Sequence, residues 1–171
     1  MKIPIQTREK SSVAGSASRR GFMGRLAAAG LAGAASQVRA QSAGRVSGFD
    51  HVALPMQNTE PMLAFYRSLG FDVVENDVAC SVYIGDNMIN FHRPATWQRE
   101  SFTLRAPAAK PPCGDLCFVW EGTPAALKAM LDRGGAKLIE GPVARQGGRR
   151  KAASSVYVRD PDGNLLEFMI Y

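Results

Sequence analysis

Apolar and polar residues alternate in short runs, and two stretches with helical spacing interrupt these runs. The run Phe49–Leu54 alternates, which predicts a strand with one buried face. The next stretch has helical spacing and ends at Gly70, a residue that tolerates the backbone of a helix C-terminus. Asn58 and Thr59 can cap this helix, and Pro61 lies in its first turn. Three strands are then predicted at Asp72–Glu75, Ala79–Ile84 and Met88–His92.

The same order of elements recurs in the second half of the chain. Asp115–Trp120 is a predicted strand, and Thr123 is predicted to cap a helix that has Pro124 at its first position. Gly134 and Gly135 end this helix. Three strands are then predicted at Lys137–Ile139, Ser154–Arg159 and Asn164–Ile170. Both halves therefore have the order βαβββ, which predicts an α+β fold made from a duplicated unit.

Strand alternation places a set of polar side chains on the face of each strand that is opposite the helices. Val52 and Leu54 are apolar and are predicted to face the helix, so His51 is predicted to face the other way. The same argument applied to three further strands places these residues on the face without helices: Asn90, His92, Asp115, Cys117 and Glu167. Imidazole and carboxylate groups are costly to bury without partners, and a divalent cation binds such groups.

Basic residues are concentrated at the N-terminus. The net charge is +6, and residues 1–40 contain seven of the 21 basic and one of the 15 acidic residues. The remainder therefore contains 14 of each, which argues against a nucleic-acid partner. Because no apolar run reaches the roughly 18 uncharged residues of a membrane-spanning helix, we expect no stable membrane anchor.

The N-terminal segment resembles a twin-arginine export signal. Arg19 and Arg20 are adjacent, Phe22 follows two positions later, an Ala- and Gly-rich stretch covers Leu26–Ala35, and a small-residue cleavage site ends at Ala40. The resemblance implies export by the twin-arginine translocase and a periplasmic or secreted mature protein. A short amphipathic helix or a basic tail is the alternative interpretation.

These signals divide the chain into a cleaved segment and one domain. Residues 1–40 are the predicted signal, and residues 41–171 are the predicted mature domain. Within the domain, the two modules cover about residues 47–93 and 114–171, and residues 94–113 connect them. The connector contains four prolines and is predicted to be poor in regular structure.

Two motifs resemble the vicinal-oxygen-chelate superfamily, which includes glyoxalases, bleomycin-resistance proteins and extradiol dioxygenases. Asp50–Leu54 followed by Phe65–Phe71 is similar to the opening of these proteins, and Arg159–Phe168 is similar to their closing motif. Three further segments are similar to the glyoxalase-domain-containing group: Ile89–His92, Asp115–Phe118 and Gly141–Val143. The resemblance implies two βαβββ modules that form a cupped mixed sheet with the helices on its outer face.

In this superfamily, metal ligands come from the first and fourth strands of each module. The resemblance places His51 at the first of these positions and Glu167 at the last. Asn90 and Asp115 occupy the other two, where glyoxalases have a carboxylate and a histidine. Two ligand sets therefore stay open: His51, Asp115 and Glu167, or His51, His92 and Glu167. Either set suits Fe, Mn, Ni or Zn.

The resemblance implies a metal-dependent lyase, isomerase or dioxygenase that acts on a small substrate with two adjacent oxygens. Glu167 or Asp115 would alternately bind the metal and take a proton. Asn90, Tyr157 and Cys117 would contact the substrate, although an exposed strand position is the equal alternative for Tyr157.

Three further alternatives stay open. The first is a non-catalytic protein that binds a small molecule or an antibiotic, as some members of the superfamily do. The basic loop at residues 146–151 either closes over an anionic substrate or is a solvated run of charge. Modules often pair between chains in this superfamily, so a homodimer could close the cup. A protein that serves only as a structural component of a dimer is the less favoured interpretation.

Overall fold

The computed structural model of the protein describes residues 44–171. The signal predicted over residues 1–40 lies outside these residues and stays a prediction. Within the described range, none of the helices is both long and apolar enough to cross a membrane.

The described residues form two modules with the same order of elements. The first module contains β1 (His51–Pro55), α1 (Thr59–Ser68), β2 (Asp72–Glu75), β3 (Ala79–Ile84) and β4 (Asn87–His92). The connector contains a short helix, α2 (Pro94–Trp97). The second module contains β5 (Asp115–Val119), α3 (Pro124–Arg133), β6 (Glu140–Gln146), β7 (Ala152–Arg159) and β8 (Leu165–Ile170). The predicted α+β fold of two βαβββ modules is confirmed.

Each module forms its own four-stranded mixed sheet. The strand orders are β1-β4-β3-β2 and β5-β8-β7-β6. β1 pairs in parallel with β4, and β5 pairs in parallel with β8, while the other neighbours are antiparallel. β1 and β5 are thus equivalent edge strands, as the duplication requires.

One apolar core joins the two modules. The rings of Phe71, from the first module, and Phe118, from the second, have centroids 5.4 Å apart. Phe118 lies at the same centroid distance from Phe168. Helix residues complete the core, and the buried ones are Met62, Leu63, Phe65, Tyr66, Leu127, Met130 and Leu131. Full burial of one such aliphatic or aromatic side chain contributes about 1.5–3 kcal/mol.

The turn between β7 and β8 ties the second module to helix α1. The buried Tyr66 hydroxyl donates to Asp160 Oδ2 at 3.0 Å. The Asp162 carboxylate accepts from the backbone N–H groups of Gln57 and Asn58 at 2.7 and 2.8 Å. These bonds hold the chain at Gln57 and at the N-cap residue Asn58, immediately before α1.

Asn164, at the end of the same turn, binds the turn to the end of the connector. Its side-chain oxygen accepts from the backbone N–H groups of Cys113 and Gly114 at 3.0 and 2.8 Å. Its own N–H groups donate to the two carboxylate oxygens of Asp160, both at 2.9 Å. The closing motif therefore has a structural role that joins three parts of the domain.

The strand predicted at Lys137–Ile139 is wrong, because the strand begins at Glu140. Leu138 and Ile139 are apolar, but both are more than half exposed. The strand instead runs through Pro142, which an edge strand tolerates because it needs no N–H donor there. Gly141 has φ of 122° and lies so close to β7 that an added Cβ would be 2.6 Å from Ser155 O. Sequence alternation does not reveal such an irregular edge strand.

Helix boundaries were predicted better than their caps. Thr123 caps α3 as predicted, since its hydroxyl accepts from Ala126 N at 3.2 Å. Asn58 occupies the N-cap position of α1, but its side chain makes no capping bond there. Instead, its amide donates to Asp162 Oδ1 at 2.9 Å. The short helix α2 was not predicted in the connector.

Candidate metal-binding site

The predicted site residues lie on the faces of the two sheets that are opposite the core. The core side is occupied by the intervening apolar residues, such as Val52, Phe91, Leu166 and Phe168. We call the opposite surface of the first sheet the histidine face, and its residues are His51, Ala53, Ser81, Asn90 and His92. We call the opposite surface of the second sheet the carboxylate face, and its residues are Asp115, Cys117, Tyr157 and Glu167.

The two faces have matching positions in the strand register. Ala53 lies opposite Asn90 in the first sheet, and Cys117 lies opposite Glu167 in the second. His51 is the first residue of β1 and lies two positions before Ala53 on the same face. Asp115 is the first residue of β5 and has the same relation to Cys117. The duplicated backbone therefore places an imidazole and an amide on one face where the other face has two carboxylates.

His51 is oriented by its neighbour Asp50. The Nδ1 atom of His51 lies 2.6 Å from Asp50 Oδ1, and since a carboxylate only accepts, Nδ1 is the donor. This bond leaves Nε2 available on a side chain that is 47% exposed. A carboxylate on the second ring nitrogen is the usual arrangement for a metal-binding histidine. Alternation did not identify Asp50 because the predicted strand included this residue and placed it on the face opposite His51, whereas β1 begins only at His51.

Asn90 and His92 are engaged with each other and with their surroundings. Ser81 Oγ donates to Asn90 Oδ1 at 3.2 Å, and Asn90 Nδ2 lies 3.5 Å from His92 Nε2. The His92 ring packs edge-on against Phe102 with centroids 4.9 Å apart. Burial, and to a smaller extent the proximity of His51, lowers the pKa of His92. His92 is therefore neutral at neutral pH, which is the form that binds metals.

Glu167 lies at the centre of the carboxylate face. It faces Cys117 on β5 and Tyr157 on β7 across the sheet. Its Oε1 atom is buried and has no hydrogen-bond partner among residues 44–171. A buried acceptor without a partner is unfavourable, and a bound cation or a proton donor would satisfy it.

Cys117 is a protonated thiol beside this carboxylate. The loss of solvent, followed by the negative charges of Glu167 and Asp115, raises the pKa of Cys117 to about 12. A thiolate is the reactive form of cysteine, so this residue is not suited to nucleophilic catalysis at neutral pH. It can instead contact a substrate as a weak donor.

Tyr157 is held by an arginine that the sequence analysis missed. Arg145 Nε donates to Tyr157 Oη at 2.9 Å, and the guanidinium carbon lies 5.5 Å from the ring centre. Arg145 also lies 3.5 Å from Glu140 Oε1. It was missed because it belongs to β6, the strand whose position was predicted wrongly.

The basic loop packs at one end of the second sheet. Arg149 N donates to Tyr171 Oη at 3.2 Å, and the Arg149 guanidinium carbon lies 4.9 Å from the Tyr171 ring centre. A Cβ added at Gly147 would clash with Met169 and Tyr171. Met169 is thus 3% exposed although it shares the strand face of Glu167. The loop thus contacts the sheet through Arg149, while its charged residues are exposed, and both interpretations of the loop stay predictions.

The predicted ligands are divided between the two faces. Within residues 44–171, no group of three or more His, Cys, Asp or Glu side chains is arranged to hold a metal ion. The donor chemistry nevertheless fits a divalent cation. His51 offers Nε2 with its ring oriented by a carboxylate, and Glu167 offers an oxygen without a partner in the described part of the chain.

The family profile of the Glyoxalase/Bleomycin resistance protein/Dioxygenase superfamily matches residues 48–168. The chain therefore belongs to this superfamily, and the predicted superfamily is confirmed. A glyoxalase domain-containing protein, RDO1, of Mycosarcoma maydis is 32% identical over 136 residues, which cover 79% of this chain and 74% of that protein. Virulence protein STM3117 of Salmonella typhimurium is 32% identical over 126 residues, which cover 71% of this chain and 83% of that protein.

Solved structures agree with this assignment. The crystal structure of virulence protein STM3117 from Salmonella typhimurium has a TM-score of 0.66 at 29% identity, covering 75% of this chain and 99% of that one. The integron cassette protein VCH_CASS1 of V. cholerae also has a TM-score of 0.66 at 29% identity, covering 75% and 98%. A lactoylglutathione lyase from Agrobacterium tumefaciens has a TM-score of 0.55 at 20% identity, covering 74% and 96%, and this likeness supports the fold alone.

Proposed function

We propose that the protein is a divalent-metal-dependent enzyme that acts on a small substrate with two adjacent oxygens. The observation that carries the proposal is the buried Oε1 of Glu167, which has no partner among the described residues and lies on the same face as Asp115. His51, oriented by Asp50, supplies the complementary imidazole. Lyase, isomerase and dioxygenase chemistry all use such a site in this superfamily.

The proposed enzyme needs residues that hold the metal ion and a residue that takes a proton. His51 Nε2 and Glu167 Oε1 would hold the cation, with Asp115 or His92 as the third ligand, and Fe, Mn, Ni or Zn suits this set. A bound cation supplies polarisation of the two substrate oxygens and stabilises the charge that develops on them. Where His92 is the third ligand, the exposed Asp115 would be the carboxylate that takes a proton from the substrate.

The remaining polar residues of the two faces would position the substrate. Tyr157 presents a hydroxyl that is held by Arg145, and Cys117 presents a thiol that stays protonated. Asn90 has its oxygen occupied by Ser81, so it offers N–H groups rather than a metal ligand. The substrate would thus be held by donors on both faces.

We further propose that two copies of the chain complete the site. Three ligands do not converge within residues 44–171, while β1 and β5 each pair with only one strand there. An edge strand with free backbone groups can associate with another chain. Phe49 and Val119, beside or within these edge strands, are 69% and 44% exposed. A homodimer would bury these residues and bring a histidine face to a carboxylate face.

A non-catalytic binding protein is the second candidate. Asn90 favours it, because this residue stands where a glyoxalase has a carboxylate and its oxygen is already bonded to Ser81. Such a protein would keep the two faces and bind a small molecule or an antibiotic without a metal.

Metal content and metal-dependent stability separate the two candidates. After growth in medium supplemented with Fe, Mn, Ni and Zn, the enzyme proposal predicts about one equivalent of one metal per chain and a rise in Tm when that metal is added. His51→Ala should abolish this rise. Asp132→Asn, on the exposed side of α3, should keep it. Less than about a tenth of an equivalent with no rise in Tm for the unaltered protein would favour the binding protein.

The proposed location is the periplasm or the exterior, on the basis of Arg19 and Arg20. Replacing both by lysine should retain the protein in the cytoplasm, as measured by cell fractionation, because the arginine pair is the signal that the translocase reads. Replacing Arg8 and Lys10 by glutamine is the matched control and should leave export unchanged. Export of the lysine variant would contradict the proposal.

A further inference from the structure

The connector covers one end of the histidine face and forms a small cavity with it. The cavity has a volume of about 30 Å³. Ala53 and His92 line it from the sheet, and Trp97 and Arg105 line it from the connector. Trp97 is fixed by donation from Nε1 to Met56 O at 2.8 Å. The cavity is therefore a built feature of the connector and lies on the face that carries His51.

Arg105 brings a positive charge to this cavity that the described residues do not neutralise. Its Nε atom is buried and has no hydrogen-bond partner within residues 44–171. Arg93 also has a buried Nε without a partner, but its guanidinium is paired with Glu75. No carboxylate of the described residues forms an ion pair with Arg105. A bound anion would supply the missing acceptor.

The bonds that Arg105 does make select the kind of anion. Its Nη1 atom donates to Pro107 O at 3.2 Å, and this bond holds the guanidinium in place. Within residues 44–171 the other two nitrogens, Nε and Nη2, have no hydrogen-bond partner, and two parallel N–H groups on one guanidinium edge match the two oxygens of a carboxylate. A cavity of this volume holds about two water molecules, which is the space that a carboxylate needs.

The position of the cavity sets the distance between the bound carboxylate and the proposed metal ligand His51. Ala53 follows His51 by two residues on the same face of β1. At roughly 3.3 Å per residue, the cavity lies about 6–7 Å along the strand from His51. A substrate whose adjacent oxygens lie at His51 would reach the cavity with a carboxylate two or three carbons further along.

We propose that Arg105 is a specificity-determining residue, and that the substrate is a small anion with a carboxylate two or three carbons from its pair of adjacent oxygens. The proposal rests on the proposed function, because the adjacent oxygens are placed by the metal ligands. It adds a substrate class and a recognition residue from the connector.

The first test compares two ligands that share a chelating end. 2-Oxoglutarate carries a second carboxylate, and 2-oxopentanoate has the same chain length without it. Isothermal titration of the Mn²⁺-loaded protein should give at least about ten-fold tighter binding of 2-oxoglutarate, since charge-assisted bidentate bonds are strong. Arg105→Gln should reduce this ratio to about one and leave the affinity for 2-oxopentanoate unchanged.

The matched control is Arg99→Gln. Arg99 is an exposed arginine of the same connector, and its Nε donates to Ala95 O. This variant should keep the ten-fold preference. A preference for 2-oxoglutarate that survives in Arg105→Gln, or no preference in a protein that binds Mn²⁺, would overturn the proposal.

A second measurement separates this proposal from the metal proposal. In the metal-free protein, glutarate should shift the Arg105 side-chain Nε–H resonance in a saturable way, and the resonance is assigned by its loss in Arg105→Gln. A saturable shift in a protein that binds no metal would refute the metal site and leave the carboxylate site standing. Absence of the shift would overturn the carboxylate site whatever the metal content.

Discussion

The histidine face and the carboxylate face share one backbone arrangement and differ in how their polar groups are satisfied. Ser81 and Tyr157 occupy matching positions opposite Asn90 and Glu167. On the first face, Asn90 is bonded to Ser81. On the second, Glu167 keeps a buried oxygen without a partner among the described residues. The duplicated fold thus gives the two faces matching strand positions whose polar groups are satisfied differently.

This difference in hydrogen bonding indicates which face contributes more to the free energy of metal binding. A satisfied amide gains little from a ligand, whereas a buried carboxylate oxygen without a partner gains much. The carboxylate face should therefore dominate metal affinity, and the histidine face, with the connector beside it, should dominate substrate selection. The first two of the following predictions each test a contrast between the two modules.

The largest contrast is expected between Glu167→Gln and Asn90→Ala. Loss of the Glu167 charge should weaken metal binding by more than about 100-fold, since removal of an outer-shell partner alone typically costs 10–100-fold. Asn90→Ala should weaken it by less than about three-fold because its oxygen is already bonded. Competition with a fluorescent chelator measures both affinities. Equal losses for the two variants would show that the faces contribute alike.

The next contrast concerns the turns that precede the fourth strand of each module. Asn164→Ala removes three buried or half-buried side-chain hydrogen bonds and should lower the free energy of unfolding by about 2–4 kcal/mol. Asp86→Ala, in the equivalent exposed turn of the first module, should change it by less than about 0.5 kcal/mol. Urea denaturation gives both values. A small effect of Asn164→Ala would contradict the role of the closing motif as a junction.

A smaller effect than that of Asn164→Ala is expected for Tyr66→Phe at neutral pH. Burial first, and the nearby Asp160 carboxylate second, raise the pKa of Tyr66 well above its ordinary value. The unfolded chain ionises near pH 10, so this contribution to stability is complete below that pH and is lost as the pH rises further. Near pH 8 the variant should lose only about 1 kcal/mol, for one hydrogen bond. Between pH 9 and 11 its stability should fall less steeply than that of the unaltered protein, as urea denaturation at each pH would show.

Much of the fold could be predicted because strand alternation depends on local burial. Val52, Ile89 and Leu166 point to the core as predicted, so the faces of His51 and Glu167 followed from their neighbours. The position of β6 was missed because its exposed edge and its irregular start at Gly141 leave no alternating pattern. The assignment of candidates to faces thus needed only the sequence.

The rest of the candidate site could not be predicted, because it depends on contacts between segments. Asp50 orients His51 from a position just before β1, although alternation over the predicted strand placed the two residues on opposite faces. Arg105 reaches the histidine face only through the path of an aperiodic connector. Whether His51 and Glu167 meet is set by how sheets associate, and local hydrophobic patterns carry no information about that.

The central claim is that one metal ion joins the two faces. Anomalous scattering from a crystal of the metal-loaded protein tests it most directly. We expect one metal peak with His51 Nε2 and Glu167 Oε1 as ligands at about 2.0–2.2 Å, contributed by one chain or by two. A metal peak that touches neither atom, or these two atoms facing bulk solvent on separate surfaces in the assembled protein, would contradict it.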